Sequence, residues 1–423
     1  MFSYFKIFIH KILDLTLLIL LEFSFVNFYF KNNLYKKKLF YYVTEVNTYG
    51  DAIFFYYYVK LFKKKNSLII SPEVFPSNHL LNFFFKKNEF IFYNEPFYFF
   101  INKIHPIIKR KSEILILKIL KFNLNAFSYY RSYKKKDKNL KLIQNNLFLK
   151  KYLSIRKYDP KFDTLIFKIT NFYKKKFIIE KLPGYSSFEE KKILYNLGLK
   201  NSKYVCVYIK PYPKNKIYGY KDNYEANPRC INFYNRYYDA IKYLLSKKLK
   251  IIIMGKNNEN LKKIFKNSNV IYYNETKYQS VINDFYLVNN CLFYIGCQGG
   301  AVSVPTILNK HILFLNNVSF HDIFINKNIF FFPKHFFKNG KEILLQERIN
   351  SYEYFFNSPK DFNSNYQLKE LSKFEILYSV KCMYNFLVKK SKKFFIYNIS
   401  NLKKYHLSPY YSNPKLINFK DRS

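Results

Sequence analysis

Asn283–Pro305, NDFYLVNNCLFYIGCQGGAVSVP, decides how the rest of the chain is read. It reads as the end of a helix, a short buried strand at Cys291–Ile295, a glycine turn and the start of another helix. Gly299 and Gly300 permit positive φ and let backbone N–H groups approach a ligand with no Cβ in the way. A helix beginning there points its free N–H groups and positive dipole end at the turn, an arrangement suited to phosphate. A Gly-Gly pair alone is also what an ordinary strand-to-helix turn contains, so its neighbours along the chain carry the weight.

Outward from that stretch, strands and helices alternate. Tyr204–Ile209, Lys250–Met254, Val270–Tyr273, Cys291–Ile295 and His311–Asn316 read as strands. Asn232–Lys247, with Phe233, Tyr237, Ala240, Ile241, Leu244 and Leu245 at helical spacing, is a core-facing helix. Ser280–Asn289 and Gly300–Leu308 are the other helices. An earlier β/α series runs through Leu39–Val43, Ala52–Phe62, Ser67–Ser71, His79–Phe85 and Glu89–Tyr93, and Thr164–Ile169 is a further strand candidate. Ile107–Lys161 is hard to read. Alternation of this kind implies mostly parallel sheets, whose ligands sit at the carboxyl ends of the strands. Lys181–Ser186 reads as a linker, and Ser187 with Glu190 has capping-box spacing ahead of a helix through Leu197. The expected domains are 1–34, 35–184, 185–390 and a terminal segment, 391–423.

The chain has 423 residues, enough for two cores, and 49% apolar content excludes disorder. Lys and Arg number 72 against 28 Asp and Glu, a net charge of +44. Nucleic acid and anionic membrane are two readings of that excess. Compositional drift is the third, because Lys, Asn, Phe, Tyr and Ile are inflated together. No recognisable nucleic-acid motif claims the charge, and nucleic acid ranks last as a partner. The five cysteines are scattered, form no CxxC pair and suggest no metal site, so they read as small hydrophobes in a reduced compartment. Met1–Phe30 is strongly apolar, but Asp14 and Glu22 interrupt it. It reads as a membrane-surface helix or as a buried N-terminal helix.

An ordered set of short motifs resembles an uncharacterised family of bacterial glycosyltransferases associated with surface-polysaccharide gene sets. The set comprises Gly50, Ser71-Pro72, Asn78–Leu81, Ser187–Glu190, Leu197–Leu199, Tyr204–Val207 and Met254–Lys256. It continues with Tyr278, Ser280, Asp284–Leu287, Gly296–Gly300, Val304-Pro305, Phe332–Lys334, Gly340-Lys341 and Asn357–Pro359. The resemblance implies two doubly wound α/β Rossmann-like domains facing a cleft, the GT-B arrangement. It implies an acceptor-side domain at 35–184 and a nucleotide-sugar-binding domain at 185–390. It also implies transfer with no cofactor and no catalytic metal, since the protein neutralises the leaving diphosphate. The positive charge and the apolar N-terminus together suit a cytoplasmic enzyme, peripheral at the inner membrane face, that acts on a glycan or lipid-linked acceptor.

Carried onto this chain, the resemblance implies donor-binding roles for Lys210, Arg229, Gly255, Asp284, Gly299 and Gly300; the base is assigned to Asp51 from its place at the end of the first strand, where this family often has His. The Gly50-Asp51 pair is also similar to the heptosyltransferase family. Each residue has a plainer reading: Asp51 as an N-cap, Lys210 as a solvated loop lysine, Gly255 as a strand-ending glycine, Asp284 as a helix-face carboxylate. The chain departs from the family where His-x-Arg-Asp is typical, since Tyr208, Lys210 and Pro211 stand there, and Gly299-Gly300 replaces Ser-Gly. Those losses leave a second reading open, a non-catalytic GT-B-like binding or assembly protein.

Overall fold

The computed structural model describes residues 31, 40–44, 52–53, 56, 67–72, 77–93, 124–127, 178–210, 230–231, 233–255, 262, 265, 267–318, 328–344, 347, 365–390, 397–398 and 415–416. These fall into two compact units, within residues 1–134 and 135–423. Asp51, Arg229, the apolar segment 1–30, the strand candidate at 164–169 and most of 391–423 lie outside the described residues.

The first unit carries β1 (Phe40–Thr44), β2 (Ser67–Pro72), β3 (Phe90–Tyr93) and β4 (Leu124–Phe127). Their spatial order is β3-β2-β1-β4, and every pairing is parallel. Helix α1 (Ser77–Phe84) buries Leu80, Leu81, Phe83 and Phe84. The Tyr56 ring lies 4.8 Å from that of Phe84 and 5.6 Å from that of Phe85. Burial, then the charge of Glu89, pushes the Tyr56 phenol up to about 12. The three expected strands and the helix expected at His79–Phe85 match within two residues at each end, and the helix expected at Ala52–Phe62 lies mostly outside the described residues. β4 is an addition from the stretch that sequence left illegible.

The second unit holds β5 (Tyr204–Tyr208), β6 (Lys250–Met254), β7 (Val270–Tyr272), β8 (Tyr294–Gly296), β9 (Ile312–Asn317) and β10 (Ile329–Pro333). They run in the order β10-β9-β8-β5-β6-β7, all parallel. Renumbered within the unit, that order is 3-2-1-4-5-6, the doubly wound arrangement that reverses direction between its first and fourth strands. Here the reversal falls between β5 and β8. The first unit repeats the 3-2-1-4 portion of the same order.

Helices α2 (Ser187–Asn196), α3 (Tyr238–Ser246), α4 (Val281–Asn290), α5 (Ser303–Ile307) and α6 (Lys373–Val388) complete the layers. Side chains alternate across a strand, and β5 shows where each face goes. Val205 and Val207 join a core with Ala240, Ile241 and Leu244 of α3 and Ile376 and Val380 of α6. Tyr204 turns the other way, where its hydroxyl donates to the Leu287 carbonyl of α4 at 2.7 Å. Glu190 of α2 accepts from Tyr185 Oη at 2.7 Å, and from the side-chain amides of Asn289 at 3.0 Å and Asn290 at 2.7 Å. Glu190 therefore joins α2 to α4 and does not complete a capping box with Ser187. The N-cap is Ser186, whose hydroxyl accepts the Glu189 N–H.

Two further differences stand out. The sequence reading ends its strands at Asn316, whereas the structure adds β10 and a small antiparallel sheet. That sheet is β11 (His335–Lys338) between β12 (Lys341–Ile343) and β13 (Tyr366–Lys369). Two short strands, β14 (Tyr397–Asn398) and β15 (Lys415–Leu416), extend the large sheet beside β10. All five cysteines are buried and outside any disulfide, as the small-hydrophobe reading expects. Among the described residues, no helix is long and apolar enough to cross a membrane.

Candidate functional site

The reversal between β5 and β8 falls in the strand order where doubly wound domains form their ligand crevice, at the carboxyl edge of the sheet. β5 delivers Tyr208 and Lys210 to it, and β8 delivers Cys297–Gly300. The backbone of Lys210 is held from both sides. Its N–H donates to Cys297 Sγ at 2.9 Å, and its carbonyl accepts the Ile231 N–H at 3.0 Å. Burial pushes the Cys297 thiol up to about 12, against the pull of the Lys210 backbone contact and charge. Cys297 is thus a neutral acceptor that fixes the loop, a role its apolar context gave no hint of.

The Tyr208 ring lies between Gly255 and Gly299 at this edge. A Cβ on Gly255 would meet Cε2 of this ring at 2.8 Å, and a Cβ on Gly299 would lie 3.6 Å from its Cε1 and 3.7 Å from Lys210 Cδ. The two edges of one ring therefore face the two glycines, and Tyr208, Lys210, Gly255 and Gly299 form one group. Gly255 has φ +93°, so both backbone and space require glycine there. Burial holds the Tyr208 phenol above its ordinary value, with the thiols of Cys297 and Cys230 adding to it. The hydroxyl stays protonated across the physiological range.

The Gly-Gly turn differs from expectation. Gly299 has φ 169° and ψ 171°, extended backbone that any residue adopts, not a left-handed turn. A single 3-10 turn, Gly300–Val302, comes after it, and then the five residues of α5. The positive end of a long helix is not present here. The contribution of the turn is backbone N–H groups at the start of the 3-10 segment, whose first donors have no partner within the turn. Gly300 is exposed and Gly299 half-buried.

Asp284 lies in the first turn of α4. Its charge reaches Tyr273, Tyr294 and Cys206. The Tyr273 phenol is raised first by burial and then by Asp284. Its hydroxyl sits 3.1 Å from the Tyr278 carbonyl and 3.2 Å from that of Ser280, and accepts the Ser280 N–H at 2.9 Å. The structure thus joins Asp284 to the packing of α4 on the sheet. Asp51 and Arg229 fall outside the described residues, although Cys230, directly after Arg229, is fully buried.

Beside the crevice lies a buried polar cluster that sequence reasoning missed. Lys334, 5% exposed, donates from Nζ to the Cys230 carbonyl at 2.7 Å and pairs with Glu370 Oε1 at 3.6 Å. Glu370 Oε2 accepts the Phe233 N–H at 3.2 Å. Arg236 donates to the carbonyls of Glu370 and Leu371 at 2.9 and 3.1 Å and lies over the Phe233 ring at 4.1 Å. Gln298, directly before Gly299, accepts the Val318 N–H at 3.0 Å. The one sequence cue was the FFFP run ahead of Lys334, which marks a strand end and hence a place at the carboxyl edge.

No protein-family model matches the chain. No curated protein matches it either. Among solved structures it is similar to an E. coli ADP-heptose LPS heptosyltransferase II. That match has 12% identity and TM-score 0.46, covering 84% of this chain and 99% of that one. It is similar to a family 9 glycosyl transferase from Veillonella parvula at 10% identity and TM-score 0.45, covering 82% and 97%. It is also similar to a UDP-GlcNAc 2-epimerase from Neisseria meningitidis, bound to UDP-GlcNAc, at 14% identity and TM-score 0.35, covering 66% and 82%. At these values the similarities carry no argument about chemistry, and the α/β architecture stands on the strand order described above.

Proposed function

We propose that the chain is a glycosyltransferase that moves a sugar from a nucleotide-sugar to a glycan or lipid-linked acceptor in surface-polysaccharide biosynthesis. The observation that carries this reading is the group at the reversal point: Tyr208, Lys210, Gly255 and Gly299 around one crevice at the carboxyl edge of a 3-2-1-4-5-6 sheet. The motif set quoted from the sequence supports it. In the reading, the donor diphosphate lies over residues of 185–390. Lys210 and Arg229 neutralise it, and the N–H groups of Gly299 and Gly300 bind its oxygens. A lysine supplies charge without the bidentate fork of arginine, so Arg229 is the stronger of the two. Gly255 admits the ligand close to the backbone, and Asp284 is assigned to the donor ribose. Asp51 takes the proton of the acceptor hydroxyl as its oxygen attacks the anomeric carbon and the nucleoside diphosphate leaves. No cofactor and no catalytic metal enter this scheme. The apolar N-terminus and the charge of +44 suit work at the cytoplasmic face of a membrane.

A second reading draws on the same ring. Tyr208 occupies the room between the two glycines, and a ligand is then displaced rather than cradled; the fold would serve binding or assembly without transfer. A thermal-shift screen against nucleoside diphosphates and nucleotide-sugars separates the two. A ligand at a hundredfold over its Kd adds about 2.7 kcal/mol to the native state. The glycosyltransferase reading expects one nucleotide series to shift the protein, with the shift lost in Arg229→Ala and kept in Asp51→Asn. No shift with any of them overturns it in favour of the second reading.

A further inference from the structure

Lys334, of the Phe332-Pro333-Lys334 motif, is given no role in the donor scheme above, yet it is buried against the chain that bonds to Lys210. One ion pair grips the chain at two points. Lys334 holds the Cys230 carbonyl, and Glu370 holds the Phe233 N–H. Between those points Ile231 donates to the Lys210 carbonyl. Cys230, Ile231 and Phe233 are thereby tied to both the sealed cluster and the loop bearing Lys210. Lys334 is itself fixed through its backbone, since its N–H donates to the Asn317 carbonyl at 3.0 Å at the end of β9.

A buried ion pair is a weak source of stability, because desolvating two charges offsets much of their attraction, and replacement by neutral residues of similar volume is often harmless. Here each member also holds a backbone group of one short stretch, which an apolar pair would leave unheld. Burial pulls the Lys334 ammonium below its ordinary value, and Glu370 pushes back. We propose that Lys334 and Glu370 are positioning residues that hold Cys230, Ile231 and Phe233 in register with Lys210, and so act on diphosphate binding through Lys210 and through Arg229, the residue before Cys230 in the sequence. The proposal rests on the donor-binding reading of Arg229 and Lys210.

The test uses the full chain and the neutral pair Lys334→Met with Glu370→Gln. It leaves no charge buried and keeps an oxygen for the Phe233 N–H, but removes the donor to Cys230. Glu370→Gln alone is the milder companion, should the pair fold poorly. Titration with UDP and with ADP is expected to show affinity for the bound nucleotide falling about tenfold in the neutral pair. Adding the pair to Arg229→Ala is expected to cost about twofold or less, because the clamp acts through Arg229. An equal loss in both backgrounds overturns the proposal.

A second arm needs no nucleotide. Iodoacetamide labelling under native conditions, mapped by peptide mass, is expected to reach Cys230 about tenfold faster in the neutral pair. Cys206 and Cys382 should stay as protected as in the wild type. Unchanged protection of Cys230, or equal exposure of all five cysteines, overturns the clamp. If the wild type binds neither nucleotide, the glycosyltransferase reading fails by itself, and the labelling arm still decides whether the pair holds this stretch.

Discussion

Lys210 and Lys334 follow the carboxyl ends of β5 and β10 in one sheet and live in opposite surroundings. Lys210 is half-buried at the open crevice, its side chain beside Gly299. Lys334 is sealed, with a carbonyl and a carboxylate as its partners. His335, next in the chain, forms a third and wetter case, bridging Glu342 Oε1 at 2.6 Å and Glu375 Oε1 at 2.8 Å. The shortest charge contacts belong to His335, yet the largest energetic consequence belongs to Lys334. In low dielectric a charge that loses its partner has no water to replace it. Exposure ranks these groups, and distance does not.

The ranking breaks or holds on four measurements. Lys334→Met alone should cost about 3–5 kcal/mol in urea unfolding, with most of it recovered when Glu370→Gln is added. A loss under about 1 kcal/mol would erase the contrast with Lys210.

Next come the glycines of the crevice. Gly255→Ala forces an alanine to φ +93° and drives a Cβ to 2.8 Å from the Tyr208 ring. A loss of about 2–3 kcal/mol is expected, with Tyr208→Ala relieving the steric share alone. Gly299→Ala, extended and in ordinary contact, should stay within about 0.5 kcal/mol. Equal costs would mean that the open and closed sides of the ring are packed alike.

His335 gives a smaller, pH-dependent effect. Its hydrogen bond to Glu375 raises its pKa above the ordinary 6.5 against the opposing effect of burial, with Glu342 assisting. That contribution is complete below 6.5 and fades as pH rises through the raised value. For Glu375, burial works upward, but the His335 and Ser372 hydrogen bonds win and lower it from 4.5. Its share is complete above 4.5 and fades as pH falls through the lowered value. Stability from this bridge should therefore plateau between 4.5 and 6.5. Urea midpoints for wild type and His335→Gln should converge above the raised value. A constant gap up to pH ~9 would detach the bridge from the titration. The smallest effect belongs to Lys210→Ala, within about 0.5 kcal/mol of wild type in urea while the nucleotide-induced shift is lost.

Much of the α/β skeleton was legible, for local reasons. Lys250–Met254 matches residue for residue because a run of three isoleucines is bounded by lysines on one side and glycine on the other. Cys291 was read as strand, but Cys291–Phe293 form the turn out of α4, since apolar residues fill a buried turn as readily as a strand. β10 went unread although Ile329–Phe332 is apolar, because no glycine or alternation sets it apart in a phenylalanine-rich chain. At the site, the crevice position of Lys210 and Gly255 follows from strand ends. The extended backbone of Gly299 does not, because a Gly-Gly pair permits many conformations and tertiary packing selects one. Lys334 was invisible as a site residue, since burial of one lysine among so many depends on contacts about a hundred residues away, such as that with Cys230.

β9 and β10 lose register between Phe332 and Pro333, where Asn317, not Asn316, pairs with the proline. The skipped Asn316 takes φ 57°, a left-handed conformation that asparagine tolerates better than most residues. Its freed amide spans three segments: Oδ1 accepts the Leu371 N–H at 2.8 Å and Nδ2 donates to Tyr237 Oη at 3.1 Å. In mutational-tolerance language this makes a hidden exception. The chain is rich in asparagine and lysine, but an aspartate at 316 loses the donor, a lysine loses the acceptor, and a glycine keeps the backbone while losing both. A saturation scan of this protein should show position 316 as an isolated column of intolerance, set in a sequence that otherwise absorbs such exchanges.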